Sequence, residues 1–299
     1  MSHKTTVALA AFAALGCAAG AFYWIHSKAG KPLPEVAAAE PPGFRQPLAE
    51  KPASTPPAKA PAQPNAKTNT IPNASPVDAG LPLRAGEILE FSASLANVKD
   101  VANLKLQIAG KGNLAGKSAW HLQAFAHTLN PLRMVFELDD QFDSYSDAGT
   151  MVSLQYEMHL SERGEKVESV QRMTATGKDP APQGATEARV LPGTRDPLGM
   201  MQYLRFNDWV KTPEVRCPVY DGHKLYDVRA KISGTSESVT VTSGKYSASK
   251  VQIHVFDNGV EMKDAAFILY LANMTERTPV LLEATLPFAT VRVELVKAK

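Results

Sequence analysis

Beyond about Arg84 the apolar residues fall at every second position, the spacing of strands that bury one face. Leu89, Phe91, Ala93 and Leu95 alternate with Glu90, Ser92 and Ser94. The period recurs at Leu104-Leu106-Ile108, Met134-Phe136-Leu138, Leu154-Tyr156-Met158-Leu160, Tyr226-Val228-Ala230-Ile232, Val251-Ile253-Val255 and Val291-Val293-Leu295. Between Leu154 and Leu160 the alternate positions are polar, so Ser153, Gln155, Glu157 and His159 are predicted to face water. Turn chemistry separates the runs at Ala109-Gly110-Lys111-Gly112-Asn113, Asp147-Ala148-Gly149, Arg163-Gly164, Asp221-Gly222, Ser243-Gly244 and Asn258-Gly259. Short strands with hairpin turns predict a mainly β domain over 84–299, an antiparallel meander curled into a barrel or half-barrel-like sheet.

One segment breaks the two-residue period. Asp196 is a plausible N-cap, Pro197 suits the first helical position, and Leu198, Met201 and Leu204 recur at helical spacing. Met200, Tyr203 and Phe206 widen the apolar stripe, which predicts one short buried helix plugging a mouth or the concave face of the sheet.

Near the N-terminus, Val7 to Ile25 run nineteen residues without a charge. At about 1.5 Å per residue that spans a hydrocarbon core of about 30 Å, so residues 1–25 read as a membrane helix. Lys4 favours an N-in orientation. Three fates are open: retention as a signal anchor, cleavage after Ala19-Gly20-Ala21, or lipidation at Cys17 in the lipobox-like Ala14-Leu15-Gly16-Cys17. Each places the rest of the chain outside the cytoplasm, either anchored in the inner membrane facing the periplasm or exported.

Residues 26–83 are dominated by Pro, Ala, Lys, Asn and Thr, and 13 of the chain's 22 Pro lie between Pro32 and Pro82. Such a segment buries too little apolar area to offset its ordering entropy, so it is expected to be a disordered tether. A flexible coil of this length averages about 40 Å end to end. Residues 1–83 hold 7 Lys and Arg against 4 Asp and Glu, and residues 84–299 hold 25 against 26, so the β-domain is close to neutral. Nothing in that balance argues for a nucleic-acid partner, which requires concentrated positive charge.

Candidate chemistry is sparse. The sequence contains no HExxH, GxSxG, GxxxxGK[ST], GxGxxG or paired CxxC, so no catalytic motif, metal site or cofactor is expected. His121 and His127 share a strand face but lie about 20 Å apart, too far to share a metal. Glu137, Asp139, Asp140, Asp143 and Asp147 form an acidic patch that reads either as a solvated strand end and turn or as an acid/base pair. Cys217, between Val215 and Val219, reads as a buried structural thiol.

From about Leu83 to Val296 the order of features resembles the bacterial exported-protein family known as domain of unknown function 3108. The resemblance is carried by Gly86-Glu87-Ile88-Leu89-Glu90-Phe91, Trp120-His121-Leu122, Asp139-Asp140-Gln141-Phe142-Asp143-Ser144-Tyr145 and the Asp196–Arg205 segment. It continues through Pro218-Val219-Tyr220-Asp221-Gly222-His223 and the closing Thr278-Pro279-Val280. It implies an envelope location and a β-rich fold, with no established activity. Asp196, Tyr203, Arg205 and Asp221 are the candidate binding residues, with capping, helix termination and a hairpin turn as the plainer account of most of them. An Arg205–carboxylate pair inside the domain is the alternative role for that arginine.

The expected function is a non-enzymatic binding or scaffolding module carried on a membrane tether, with a lipid, another amphiphile or an envelope protein as partner. A glycan-directed hydrolase using the 137–147 patch is the enzymatic alternative.

Overall fold

A computed structural model describes residues 83–175, 184–263, 266–286 and 289–299. The expected membrane segment, Cys17 and the Pro-rich tether lie outside these residues. The elements in chain order are β1 (Ile88–Leu95), β2 (Val98–Leu114), β3 (Lys117–Thr128), β4 (Asp139–Asp147), β5 (Ser153–Glu162), β6 (Glu165–Thr174) and β7 (Thr186–Arg189). Helix α1 (Pro197–Phe206) follows, then β8 (Glu214–Tyr220), β9 (Leu225–Val241), β10 (Gly244–Asp257), β11 (Val260–Glu261), β12 (Ala266–Ala272), β13 (Pro279–Leu286) and β14 (Ala289–Ala298).

All the strands belong to one sheet in the order β7-β6-β5-β4-β3-β2-β1-β14-β13-β12-β10-β9-β8, with β11 paired to β10. Two meanders are thus joined where the first strand meets the last, Phe91 opposite Leu295 and Ala93 opposite Val293. The expected antiparallel meander is present, apart from the parallel pairing of β7 with β6. Right-handed twist accumulated over so many strands curls the sheet. Its two edges do not pair with each other. The short segment before α1 links β5 to the edge strand β8: Ser153 N–H donates to Thr194 O at 3.1 Å, Arg195 N–H to Pro218 O at 3.0 Å, and Tyr220 N–H to Arg195 O at 2.8 Å. Pro218 fits this edge because it has no N–H to waste and offers only its carbonyl.

Inside the curl, the alternation read from the sequence becomes one core, with Leu89, Phe91, Leu104, Leu106, Leu122, Phe142, Tyr156, Met158, Leu269, Leu282, Val291 and Leu295 all buried. Helix α1 lies against this core with all ten residues buried. Beneath it, a cavity of about 10 Å³ between Leu89, Leu106, Ile108, Leu122, Leu198 and Met201 has room for about one water molecule. The concave face is therefore occupied by the protein's own helix.

Three local expectations are corrected. First, the stretch 109–113 is not a turn: β2 runs through it, the ladder shifting by one residue between Ile108 and Gly110, and the chain reverses at Ala115-Gly116, both at positive φ. The glycines there mark a bulge. Second, Met134-Phe136-Leu138 does not begin a strand. Leu132–Met134 is a 3₁₀ turn, Met134 is exposed, and Phe136 and Leu138 are buried from a loop. Third, Ser153, Gln155 and Glu157 are buried rather than wetted: Ser153 bonds Asp196 at the start of the helix, and Gln155 and Glu157 take part in a polar network on the outer face.

Gly199 shows how closely the helix approaches the sheet. A Cβ there would lie 2.9 Å from Ser146 Oγ, 3.0 Å from Ser153 Oγ and 3.1 Å from Met151 O. Alanine is ordinarily better than glycine in a helix by about 1 kcal/mol, but overpacking against these atoms costs about 1–3 kcal/mol. Gly199→Ala should therefore lower the midpoint of denaturant unfolding; an unchanged or raised midpoint would show that the helix is not seated this tightly.

Candidate functional site

Both ends of α1 are held by buried charge. At the N-terminus one oxygen of Asp196 accepts the Leu198 and Gly199 N–H groups at 2.8 and 2.9 Å, and the other accepts the Ser144 and Ser153 hydroxyls, each at 2.5 Å. Burial pushes this carboxyl above its ordinary range, while the four hydrogen bonds favour its ionised form. At the C-terminus Arg205 makes a two-pronged pair with Glu87, both bonds 2.6 Å long, and donates from Nε to Glu276 O at 2.7 Å. Arg205 is 1% and Glu87 7% exposed. The pair ties the helix to the chain just before β1 and to the β12–β13 loop. Of the two roles open to Arg205, the internal carboxylate pair is the observed one.

Tyr203 packs under a second buried arginine. The Arg195 guanidinium sits 3.6 Å from the ring centroid, within cation–π range. It also donates to Gly193 O at 3.0 Å and Thr150 O at 2.8 Å. Burial raises the Tyr203 hydroxyl and is opposed by Arg195. Cys217 is buried nearby, 3.1 Å from Met200 Sδ, and burial pushes its thiol up to about 11, leaving a protonated, unreactive group. Asp221 is also buried and caps its own hairpin, accepting His223 and Lys224 N–H at 2.8 and 2.7 Å. The turn's Gly222 carbonyl accepts Gln171 Nε2 at 2.7 Å, which fixes the β8–β9 hairpin against β6. Asp196, Tyr203 and Arg205 are thus gathered on α1, and Asp221 belongs to a separate turn.

The acidic patch does not form one site. Glu137 and Asp139 both close on Arg133, each at 2.7 Å, and the Arg133 hydrogen bond lowers the Asp139 carboxyl. Asp147 caps the Gly149 and Thr150 N–H groups. Asp140 and Asp143 point to opposite faces of β4, and both are buried, which a solvated strand end does not account for.

On the inner face Asp140 accepts Ser161 N–H at 2.9 Å and meets Glu162 across the β4–β5 pair. Burial pushes Asp140 up to about 7 and Glu162 up to about 8, so the two carboxyls hold protons that exposed acids release. On the outer face Asp143 Oδ1 receives His121 Nε2 at 2.6 Å and Gln123 Nε2 at 2.8 Å, while Gln141 donates to Oδ2 at 2.7 Å. Burial raises this carboxyl, but the three donors outweigh it and leave it lowered. His121 stacks on Tyr145 with ring centroids 4.5 Å apart.

His159 lies 3.6 Å from Glu157 and 3.7 Å from Asp143, and its Nδ1 hydrogen-bonds Glu168. The Glu157 interaction and these neighbouring carboxylates push His159 up to about 9, so it is an imidazolium at neutral pH. Gln155 donates to Glu157 at 2.6 Å. This assembly spends its donors on its own carboxylates. Among the described residues no group of three or more His, Cys, Asp or Glu has the arrangement of a metal site.

Glu87, Arg195, Glu162 and Glu168 escaped the sequence reading. Glu87 carries a local signal, a carboxylate directly before a buried strand. The others depend on pairing partners that no local pattern reveals.

The family model described as "Protein of unknown function (DUF3108)" matches residues 90–296. The chain belongs to that family. Among solved structures, the DUF1849 beta-barrel-like protein of Brucella abortus is similar at 12% identity and a TM-score of 0.49, covering 72% of this chain and 97% of that one. A Bacteroides fragilis protein with a YmcC-like fold is similar at 10% identity and a TM-score of 0.32, covering 73% of this chain and 98% of that one. No curated protein matches.

Two measurements test the site. Arg205→Met alone, leaving Glu87 buried without a partner, should cost about 3–5 kcal/mol in unfolding free energy, and adding Glu87→Leu should recover most of it. No recovery would mean that the pair does more than neutralise itself.

The second concerns pH. Asp140 and Glu162 have folded values above the unfolded ones, so the folded state keeps protons that the unfolded state has lost between about pH 4 and 8. Their contribution is full below that window and is lost as pH rises through about 7 to 8. His159, raised to about 9, acts in the same direction at higher pH. Urea titrations from about pH 5 to 9 should show stability falling, with a shallower fall in Glu162→Gln; an identical slope would exclude the shared-proton pair.

Proposed function

We propose that this protein is an envelope scaffold, a β-domain displayed on a membrane tether that binds partners through its outer surface without catalysis. The observation that carries this reading is the burial of all ten residues of α1 in the concave face. A carrier of acyl chains needs a hollow of several hundred Å³, whereas the space beneath the helix is about 10 Å³. That favours an envelope protein over an internally bound amphiphile as the partner. The tether rests on the uncharged Val7–Ile25 run and the Pro-rich segment after it. Among the described residues no helix is long and apolar enough to cross a membrane. The non-enzymatic part of the reading is supported by the side chains themselves. Asp196 and Arg205 are consumed in seating the helix, Asp221 in its turn, and Asp143 and Glu157 in the network.

Native mass spectrometry of the full chain released from its membrane tests both halves. The expected mass retains residues 1–25 and carries no stoichiometric acyl ligand. A ligand that leaves only on unfolding would overturn the surface-binding reading, and a mass lacking the first residues would overturn the permanent tether.

A further inference from the structure

Where Ser153 opens β5 beside the helix, Glu162 closes it at its other end. The backbone ladder between β4 and β5 stops there at Gln141 opposite His159, and returns for a single bridge between Leu138 and Glu162. Between the two, Ser161 N–H donates to the Asp140 carboxyl at 2.9 Å, so a side chain replaces a main-chain acceptor. The bridge sets Glu162 diagonal to Asp140 on the inner face, where the two carboxyls hydrogen-bond each other. Further bonds tie the same corner to the β3–β4 loop. Arg163 N–H donates to Glu137 O at 2.9 Å and Thr128 N–H to Leu138 O at 3.1 Å, while the Thr128 hydroxyl donates to Phe136 O at 2.9 Å.

Two carboxyls can share a hydrogen bond only if one keeps its proton, because an ionised carboxyl has nothing to donate. The surroundings offer no cation in its place. On β4, Asp139 points to the outer face and closes with Glu137 on Arg133. On β3, Ala126 lies opposite Asp140 and His127 opposite Asp139. On β6, the exposed Glu165 and Lys166 lie opposite Glu162 and Ser161, and Arg163 is exposed in the turn. Among the described ion pairs none joins Asp140 or Glu162 to a base; their charged neighbours are Asp139 and each other. Leu138 and Leu160, the inward residues beside them, are buried. This setting is why both acids are held up, at about 7 and about 8.

We propose that this corner is a proton clasp: a proton held between Asp140 and Glu162 fastens the β5–β6 hairpin to the β3–β4 loop, and its loss frees the two locally while the rest of the sheet stays folded. Opening uncovers Phe136 and Leu138, which are buried in the closed corner and follow directly on Met134 and Val135, already 76% and 75% exposed. The apolar surface at this corner therefore grows as pH rises. The clasp needs neither the membrane tether nor a partner.

Acids in an open, hydrated corner ionise near about pH 4, so opening releases protons and gains about tenfold per pH unit for each proton released. The clasp is complete at low pH and is lost as pH rises through about 7 to 8. Amide exchange of the full chain in detergent, from about pH 5 to 9 and corrected for the intrinsic rate at each pH, tests it. Protection at 136–138 and 161–163 should fall about tenfold or more per pH unit up to about pH 7. It should stay at least about tenfold below that of β13 and be unmoved by about 1 M urea, as for an opening that exposes little surface. Glu162→Gln, whose amide donates to the Asp140 carboxylate without titrating, should flatten the fall at these amides.

Corner protection that stays flat with pH would overturn the clasp. So would protection equal to that of β13 with the same urea response, since the proton would then be lost only in global unfolding. A fall as steep in Glu162→Gln as in the natural chain would overturn it too, by assigning the protons to other groups. Should Glu162→Gln not fold, Asp140→Asn gives the same reading: its oxygen still accepts Ser161 N–H, its amide donates to an ionised Glu162, and the fall should again flatten.

Discussion

A helix of only ten residues is the constraint around which this sheet is built, and two buried carboxylates hold it. Asp196 terminates the helix dipole while receiving two hydroxyls from β4 and β5, and Glu87 fixes the far end through Arg205. The segment that leads into the helix also carries the backbone bonds that link β5 to the edge strand β8. Seating the helix and bringing β8 to β5 are consequently one event. Buried ions of this kind are weak contributors to net stability, but removing one partner is costly, so they specify where the helix lies.

The fold assigns different work to the two faces of β3–β6. Inward, the strands present Leu122, Phe142, Tyr156 and Met158 to the core. Outward, they present histidines and amides that donate to buried carboxylates, while Gln155 Oε1 is buried without a hydrogen-bond partner. Such a network makes pairing register specific, because a slip of one residue would exchange apolar and charged faces. It also places groups that hold their protons at neutral pH on both faces of the sheet, Asp140 with Glu162 inside and His159 outside.

Much of this was legible in the residues. Alternation located most strands because burying one face of a sheet imposes a two-residue period whatever the topology. Asp196-Pro197 marked the helix start because capping and the first-turn proline are local chemistry. The glycines at 110 and 112 misled, since glycine serves a bulge as well as a turn, and the choice depends on the partner strand. Likewise the polar side of β5 was misread as wet: the same alternation describes a solvated face and one whose polar groups meet across neighbouring strands.

By itself the sequence determined the β architecture, the position of the helix Pro197–Phe206 and the burial of Cys217, all of which follow from short-range spacing. Tertiary structure alone decided that the helix fills the concave face, that Arg205 finds Glu87 more than a hundred residues away, and that the acidic patch divides among four environments. These are outcomes of which strands become neighbours, and pairing between distant segments depends on the summed packing of the whole sheet, which no local pattern encodes.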